Sequence, residues 1–101
     1  MKKEAEEKKD MVNRPAHYRA NGVETIDLMK GSMPKGEFDG FLKGNVVKYV
    51  IRANYKHDGS EEDLHKALWY LMFLYLENGG TTGKIGETLT YMKEKFDGKE
   101  K

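Results

Sequence analysis

Three polar side chains share one strip of a stretch that is otherwise built like a core helix. Asn45, Lys48 and Arg52 stand at i, i+3 and i+7, and none of them is acidic. Lys48 and Arg52, one turn apart, can grip a single phosphate, Arg as the bidentate partner and Lys as the point charge. Asn45, one turn earlier, can orient a sugar hydroxyl, a base edge or a second phosphate oxygen. Gly44 and Tyr55 lie alongside, and the glycines at 40 and 44 let another group approach the backbone closely. The structural alternative is that Lys48 and Arg52 reach out to water, or pair inside the fold with Glu24, Asp27 or Asp63.

Other residues offer chemistry that the strip could use. His17-Tyr18 combines a ring that can stack on a base with a hydroxyl that can bond a phosphate or ribose, or else it anchors a loop. Glu24 and Asp27 share a face at i and i+3; they could hold Mg²⁺, act as a base, or pair with Lys48 and Arg52. Two carboxylates alone are a weak metal signal, so no protein metal site is expected, and His57 and His65 read as surface residues. Lys56, Asp63, Lys66 and Tyr70 form a second polar set, which matters only if its helix face meets the strip. No P-loop, dinucleotide fingerprint, zinc-protease motif or nucleophile elbow is present. Gly79-Gly80-Thr81-Thr82-Gly83-Lys84 has the content of a phosphate loop but the wrong spacing, and it reads as a helix connection.

The elements that must position these groups are helical. A short helix is expected from Glu24 to Met29, with Val23, Ile26 and Met29 or Leu28 facing inward. A second runs from about Glu37 to Asn54, with Phe38, Leu42, Val46, Tyr49, Val50 and Ala53 as its apolar face. Ser60 is the expected N-cap of a third helix, with acidic residues in its first turn, ending at Glu77 before Asn78-Gly79-Gly80. That helix is apolar almost all round: Leu64, Leu68, Leu71 and Tyr75 on one side, Trp69, Met72, Phe73 and Leu76 on another. Such a helix is central or shared with a second subunit. A fourth, from Gly86 to Phe96, carries Ile85, Leu89, Met92 and Phe96 at helical spacing. No strand alternation stands out. The expected fold is all-α, a small bundle of three to four helices forming one domain over residues 13–97. Charged tails at 1–12 and 98–101 are expected to be disordered.

Composition narrows the functional classes. The chain has 101 residues, 18 basic against 17 acidic, so its formal charge of +1 gives no long basic footprint for nucleic acid. It has no cysteine, which excludes disulfides, thiolate metal sites and a Cys nucleophile. Its longest apolar run, Ala67 to Leu76, is too short to span a bilayer, and its charged first residues are unlike a signal peptide. A cytoplasmic protein is expected. So much apolar surface in so short a chain favours a homo-oligomer.

The combined spacing resembles a known family. Asn13-x-Pro15-x-His17-Tyr18, then Gly22-x-Glu24-x-Ile26-Asp27, then Gly40-Phe41-x-x-Gly44-Asn45-x-x-Lys48-Tyr49-x-x-Arg52, then Asp63-Leu64-x-Lys66-Ala67-x-Trp69-Tyr70-Leu71 is similar to a family of small bacteriophage proteins of unknown function. The likeness covers about residues 12–76. One coliphage member is a nucleotide kinase that phosphorylates deoxynucleoside monophosphates without a P-loop. The resemblance therefore implies a phage protein in the bacterial cytoplasm that takes a nucleotide or another phosphate-bearing small molecule. In a kinase, Lys48 and Arg52 would neutralise the transferring phosphoryl group, and Asp27 or Glu24 would carry Mg²⁺ or accept a proton. His17, Tyr18, Glu24, Asn45 and Lys56 would contact the ligand, with ATP and Mg²⁺ as co-reactants. The competing expectations are a binder that sequesters a nucleotide signal without turnover, and a host-takeover protein that docks on a bacterial protein.

Overall fold

The computed structural model describes residues 12, 19–20, 23–55 and 58–98. Two two-residue strands, β1 (Arg19–Ala20) and β2 (Val23–Glu24), pair antiparallel with Arg19 opposite Glu24 and Ala20 opposite Val23. Asn21-Gly22 connects them in the sequence, the dipeptide most typical of tight hairpins. The ladder is too short to leave an alternating apolar pattern, so sequence spacing gave no sign of it. The rest of the described chain is helical: α1 (Thr25–Ser32), α2 (Lys35–Ala53), α3 (Ser60–Glu77) and α4 (Thr82–Phe96). The fold is all-α.

Pro34 starts α2 abruptly, because its fixed φ of −59° suits the residue before a helix, and its carbonyl accepts from the Phe38 amide at 3.0 Å. α2 ends at Ala53, and the chain returns as α3 from Ser60. Gly59, at φ +86°, caps α3, so Ser60 is the first helical residue and its hydroxyl does not cap. The carbonyl of the left-handed Gly59 accepts the first helical bond, from the Asp63 amide at 3.0 Å. α2 and α3 pack as an antiparallel hairpin, the main tertiary contact of the described chain.

Between these two helices lies an aromatic spine. Phe38 meets Phe73 edge-on at 5.9 Å, Phe41 meets Tyr70 edge-on at 6.0 Å, and Tyr49 stacks on Tyr70 at 5.9 Å and 11°. Phe38, Leu42, Tyr49 and Ala67 are buried. Fully burying a large apolar side chain contributes roughly 1.5–3 kcal/mol, so this short set of contacts holds the hairpin together. Val50, expected in the core, is exposed. The spine uses the face defined by Phe38, Leu42 and Tyr49, and Val50 is turned one residue beyond it.

α1 lies across the open end of the hairpin, tied by Lys30 Nζ to Glu77 Oε2 at 2.7 Å. Met29, not Leu28, turns inward with Ile26. α4 begins at Thr82, four residues ahead of the expected start, because the Thr81 hydroxyl accepts from the Lys84 amide at 3.1 Å and nucleates the first turn. α4 makes only sparse contact with the hairpin, and its side chains other than Ile85 are exposed. No helix among the described residues is long and apolar enough to cross a membrane.

Candidate anion-binding site

The hairpin brings the polar set of α3 against the strip of α2, which was the condition for both to matter. Lys48 Nζ lies 4.4 Å from the Tyr49 ring centroid, Lys66 Nζ 5.5 Å and the Arg52 guanidinium carbon 5.6 Å. Three cations from two helices therefore surround one buried ring. The negative face of an aromatic ring attracts each of them, by about 0.5–1 kcal/mol at exposed positions. Tyr70, stacked on Tyr49, fixes that ring from the α3 side.

Their mutual repulsion is only partly offset. Asp63 is almost fully buried, 1% exposed, and its Oδ2 faces Arg52 Nε at 3.8 Å. Lys66 meets Glu62 on its own helix at 3.3 Å. Lys48 has no carboxylate partner among the described residues. The three cations lie within about 11 Å of one another, comparable to the Debye length at 0.1 M salt. Their fields therefore add, and among the described residues three cations face two paired carboxylates, with Lys48 and Arg52 both solvent-accessible.

The remaining candidate residues fall in different places. Asn45 is half-buried, and its amide donates to the Phe41 carbonyl at 2.9 Å, which commits the donor and leaves the side-chain oxygen. Of the three carboxylates weighed as partners for Arg52, the one that pairs with it is Asp63. Asp27 is exposed on α1, and its charge acts on Lys30, at the opposite end of the hairpin from Arg52. Glu24 is half-buried at the β2–α1 junction, and the described contacts bring neither it nor Asp27 to the cluster. His17, Tyr18 and Lys56 lie outside the described residues. A Cβ at Gly40 or Gly44 would meet nothing within 4 Å, so no described segment uses the close approach they allow. Lys66 belongs to the cluster as fully as Lys48 does. Its signal was the shared polar face with Asp63 and Tyr70, which spacing alone could not turn toward α2.

These features define a class: a small all-α protein whose helical hairpin displays an aromatic-backed cationic cluster and no phosphate loop. The chain belongs to the family described as a protein of unknown function, DUF3310, whose model matches residues 12–72. It is 37% identical over 62 residues to a protein named nucleotide kinase gp1.7 of Escherichia phage T7, covering 58% of this chain and 32% of that protein. It is 37% identical over 67 residues to the gene 1.7 protein of Enterobacteria phage T3, covering 63% of this chain and 41% of that one. The match thus spans less than half the length of either relative. No solved structure matches the chain.

Proposed function

We propose that this protein is a phage-encoded nucleotide-binding protein of the host cytoplasm, with Lys48, Arg52 and Lys66 receiving the phosphates. The observation that carries this reading is the convergence of three cations on Tyr49 against a single buried carboxylate. A phosphate dianion would supply the missing negative charge, with Arg52 bidentate and the two lysines as point charges. Tyr49 and Tyr70 hold the cations in place before the ligand arrives, so little ordering cost falls on binding. The Asn45 oxygen, left over from its bond to Phe41, would accept from a sugar hydroxyl or a base.

The catalytic form of this reading is a deoxynucleoside monophosphate kinase, in keeping with the T7 relative's name of nucleotide kinase. An oxygen of the acceptor monophosphate would attack the terminal phosphorus of a nucleoside triphosphate. The bridging bond to the penultimate phosphate breaks, giving two diphosphates with no net change in phosphoanhydride bonds. Phosphoryl transfer rests chiefly on positioning and charge neutralisation, which a cationic cluster supplies without a P-loop. Magnesium would arrive on the triphosphate, held by phosphate oxygens and water, since Glu24 of β2 and Asp27 of α1 stand away from the cluster. A second reading, binding without turnover, uses the same cluster. It is favoured by the match covering only 32% of the T7 protein, since the shared segment contains the cluster but not the whole of that enzyme.

A nucleotide screen by thermal shift tests the site, and product analysis tests the chemistry. A saturating nucleotide at about 100 times its Kd should stabilise the fold by roughly 2.7 kcal/mol. The Lys48→Ala protein should melt as the wild type does without ligand, and at the same nucleotide concentration its stabilisation should fall by about 1.4 kcal/mol or more. A shift without diphosphate product, in the presence of triphosphate, monophosphate and Mg²⁺, selects the binder. Absence of any shift across all nucleotides rejects the site.

A further inference from the structure

We infer that α4 is an exchanged arm, docking on α3 of a second copy of this chain to form a two-fold dimer. Two helices of the chain carry matching apolar stripes that the described structure leaves largely exposed, Ile85 alone being half-buried. On α3, Leu64, Leu68, Leu71 and Tyr75 repeat at steps of four, three and four, and all four are exposed, the leucines by about half. On α4, Ile85, Leu89, Met92 and Phe96 repeat at the same steps, with Leu89 at 58% and Phe96 at 65% exposure. Steps of three and four are the spacing by which one helix seats its side chains between those of another. The two stripes are equal in length, so one helix can cover the other from end to end.

The corner between the helices keeps the match from being made within one chain. The Asn78 and Gly80 amides both donate to the Tyr75 carbonyl, at 3.2 and 2.8 Å. Gly79 turns the backbone at φ +95°, and the Gly80 backbone presses on the Tyr75 ring so closely that a side chain there would overlap it. Asn78 is held further, its amide donating to the Leu74 carbonyl and its oxygen accepting from Lys35 Nζ. With the corner fixed in this way α4 makes only sparse contact with its own α3. A second copy has the same free stripe to offer and the same free arm to place, which makes the contact reciprocal and self-limiting.

Charge sets the direction. The first turn of α3 carries Glu61 and Glu62, and the last turn of α4 carries Lys93 and Lys95. An antiparallel arrangement sets these turns side by side and opposes the helix dipoles favourably, whereas a parallel one sets the lysines beside the Tyr75 end. It also brings Phe96 to the open hollow of about 490 Å³ lined by Ser60, Glu61, Leu64, His65 and Leu68. The exposed parts of the eight stripe residues come to roughly 700 Å² per contact. Two-fold symmetry doubles that to about 1,400 Å², within the size of a stable interface. The interface uses neither Lys48 nor Arg52, so it stands or falls apart from the ligand reading.

Sedimentation equilibrium of the full chain should give twice its 11.6 kDa mass. The double variant Leu89→Asp, Met92→Asp should sediment as a monomer and keep its hairpin helicity by circular dichroism, because both side chains are exposed in the single chain. The absence of native cysteine allows a second, direct test. Under mild oxidation, Glu61→Cys chains mixed with Lys95→Cys chains should cross-link as a heterodimer that neither forms alone. One chain carrying both substitutions should give a covalent dimer. A monomeric wild type, a dimer that survives the Asp substitutions, or an internal disulfide within one chain would overturn the exchange.

Discussion

The two ends of the α2–α3 hairpin treat charge in opposite ways. Where α2 begins and α3 ends, two lysines have close acceptors: Lys30 meets Glu77 at 2.7 Å, and Lys35 meets Asp39 at 2.8 Å and Asn78 at 2.9 Å. Where α2 ends and α3 begins, Lys48, Arg52 and Lys66 share one ring, with Asp63 held at 3.8 Å and Glu62 at 3.3 Å. The first end is a clasp that ties α1 and the α3–α4 corner to the hairpin. The second has looser pairs and unspent positive charge. Helices of one amphipathic design thus carry one end with close pairs and one with looser pairs, and the proposed site lies at the looser end.

The contrast is broken most directly at its two aspartates. Asp63→Ala should lower stability by about 2–3 kcal/mol, because it removes a buried carboxylate and leaves its neighbouring cations to repel one another. Asp39→Ala, acting on an exposed pair, should cost clearly less. Urea melts at constant m-value measure both. If Asp39→Ala proved as damaging as Asp63→Ala, the two ends would not differ in kind.

A smaller effect, in affinity rather than stability, should follow the same division. Lys48→Ala should weaken a nucleoside monophosphate by tenfold or more, about 1.4 kcal/mol, while Lys35→Ala leaves binding unchanged. Raising KCl should weaken wild-type binding and affect the already weak Lys48→Ala binding less, since one of the screened charges is gone. Titration calorimetry at several salt concentrations checks this. Equal losses from Lys35→Ala and Lys48→Ala would remove the site from this end.

Much of this was legible from residue type and spacing. The helices declared themselves through Phe38-Leu42-Tyr49 periodicity, the acidic first turn of α3 and the Asn78-Gly79-Gly80 stop, because each is a local signal. Lys48 and Arg52 were visible as a strip for the same reason. What spacing could not supply was rotation between helices. Whether Lys66 turned toward α2, which of three carboxylates would meet Arg52, and that Val50 would face water all depend on how the aromatic spine sets the hairpin's angle. The start of α4 was missed because Gly83 and Gly86 resemble a linker, and the Thr81 cap outweighs their weak helical propensity.

The clasp end makes one further claim, the smallest in size, about pH. The hydrogen bond from Lys35, with help from Asn78, holds the Asp39 carboxyl below its ordinary value of 3.8. Its contribution to stability is therefore present above 3.8 and is lost as pH falls through the lowered folded value. Lys30 is the mirror case, since the hydrogen bond to Glu77 raises its ammonium above the ordinary 10.5. That contribution is complete below 10.5 and is lost as pH rises through the raised value. Thermal melts of Asp39→Asn should lose part of the acid decline of the wild type and match its alkaline decline. Lys30→Gln should do the reverse. Both changes should be slight, because the pairs sit at the surface. If the two variants altered the opposite limbs, or the same one, the clasp would not be the pair of independent ties that the geometry describes.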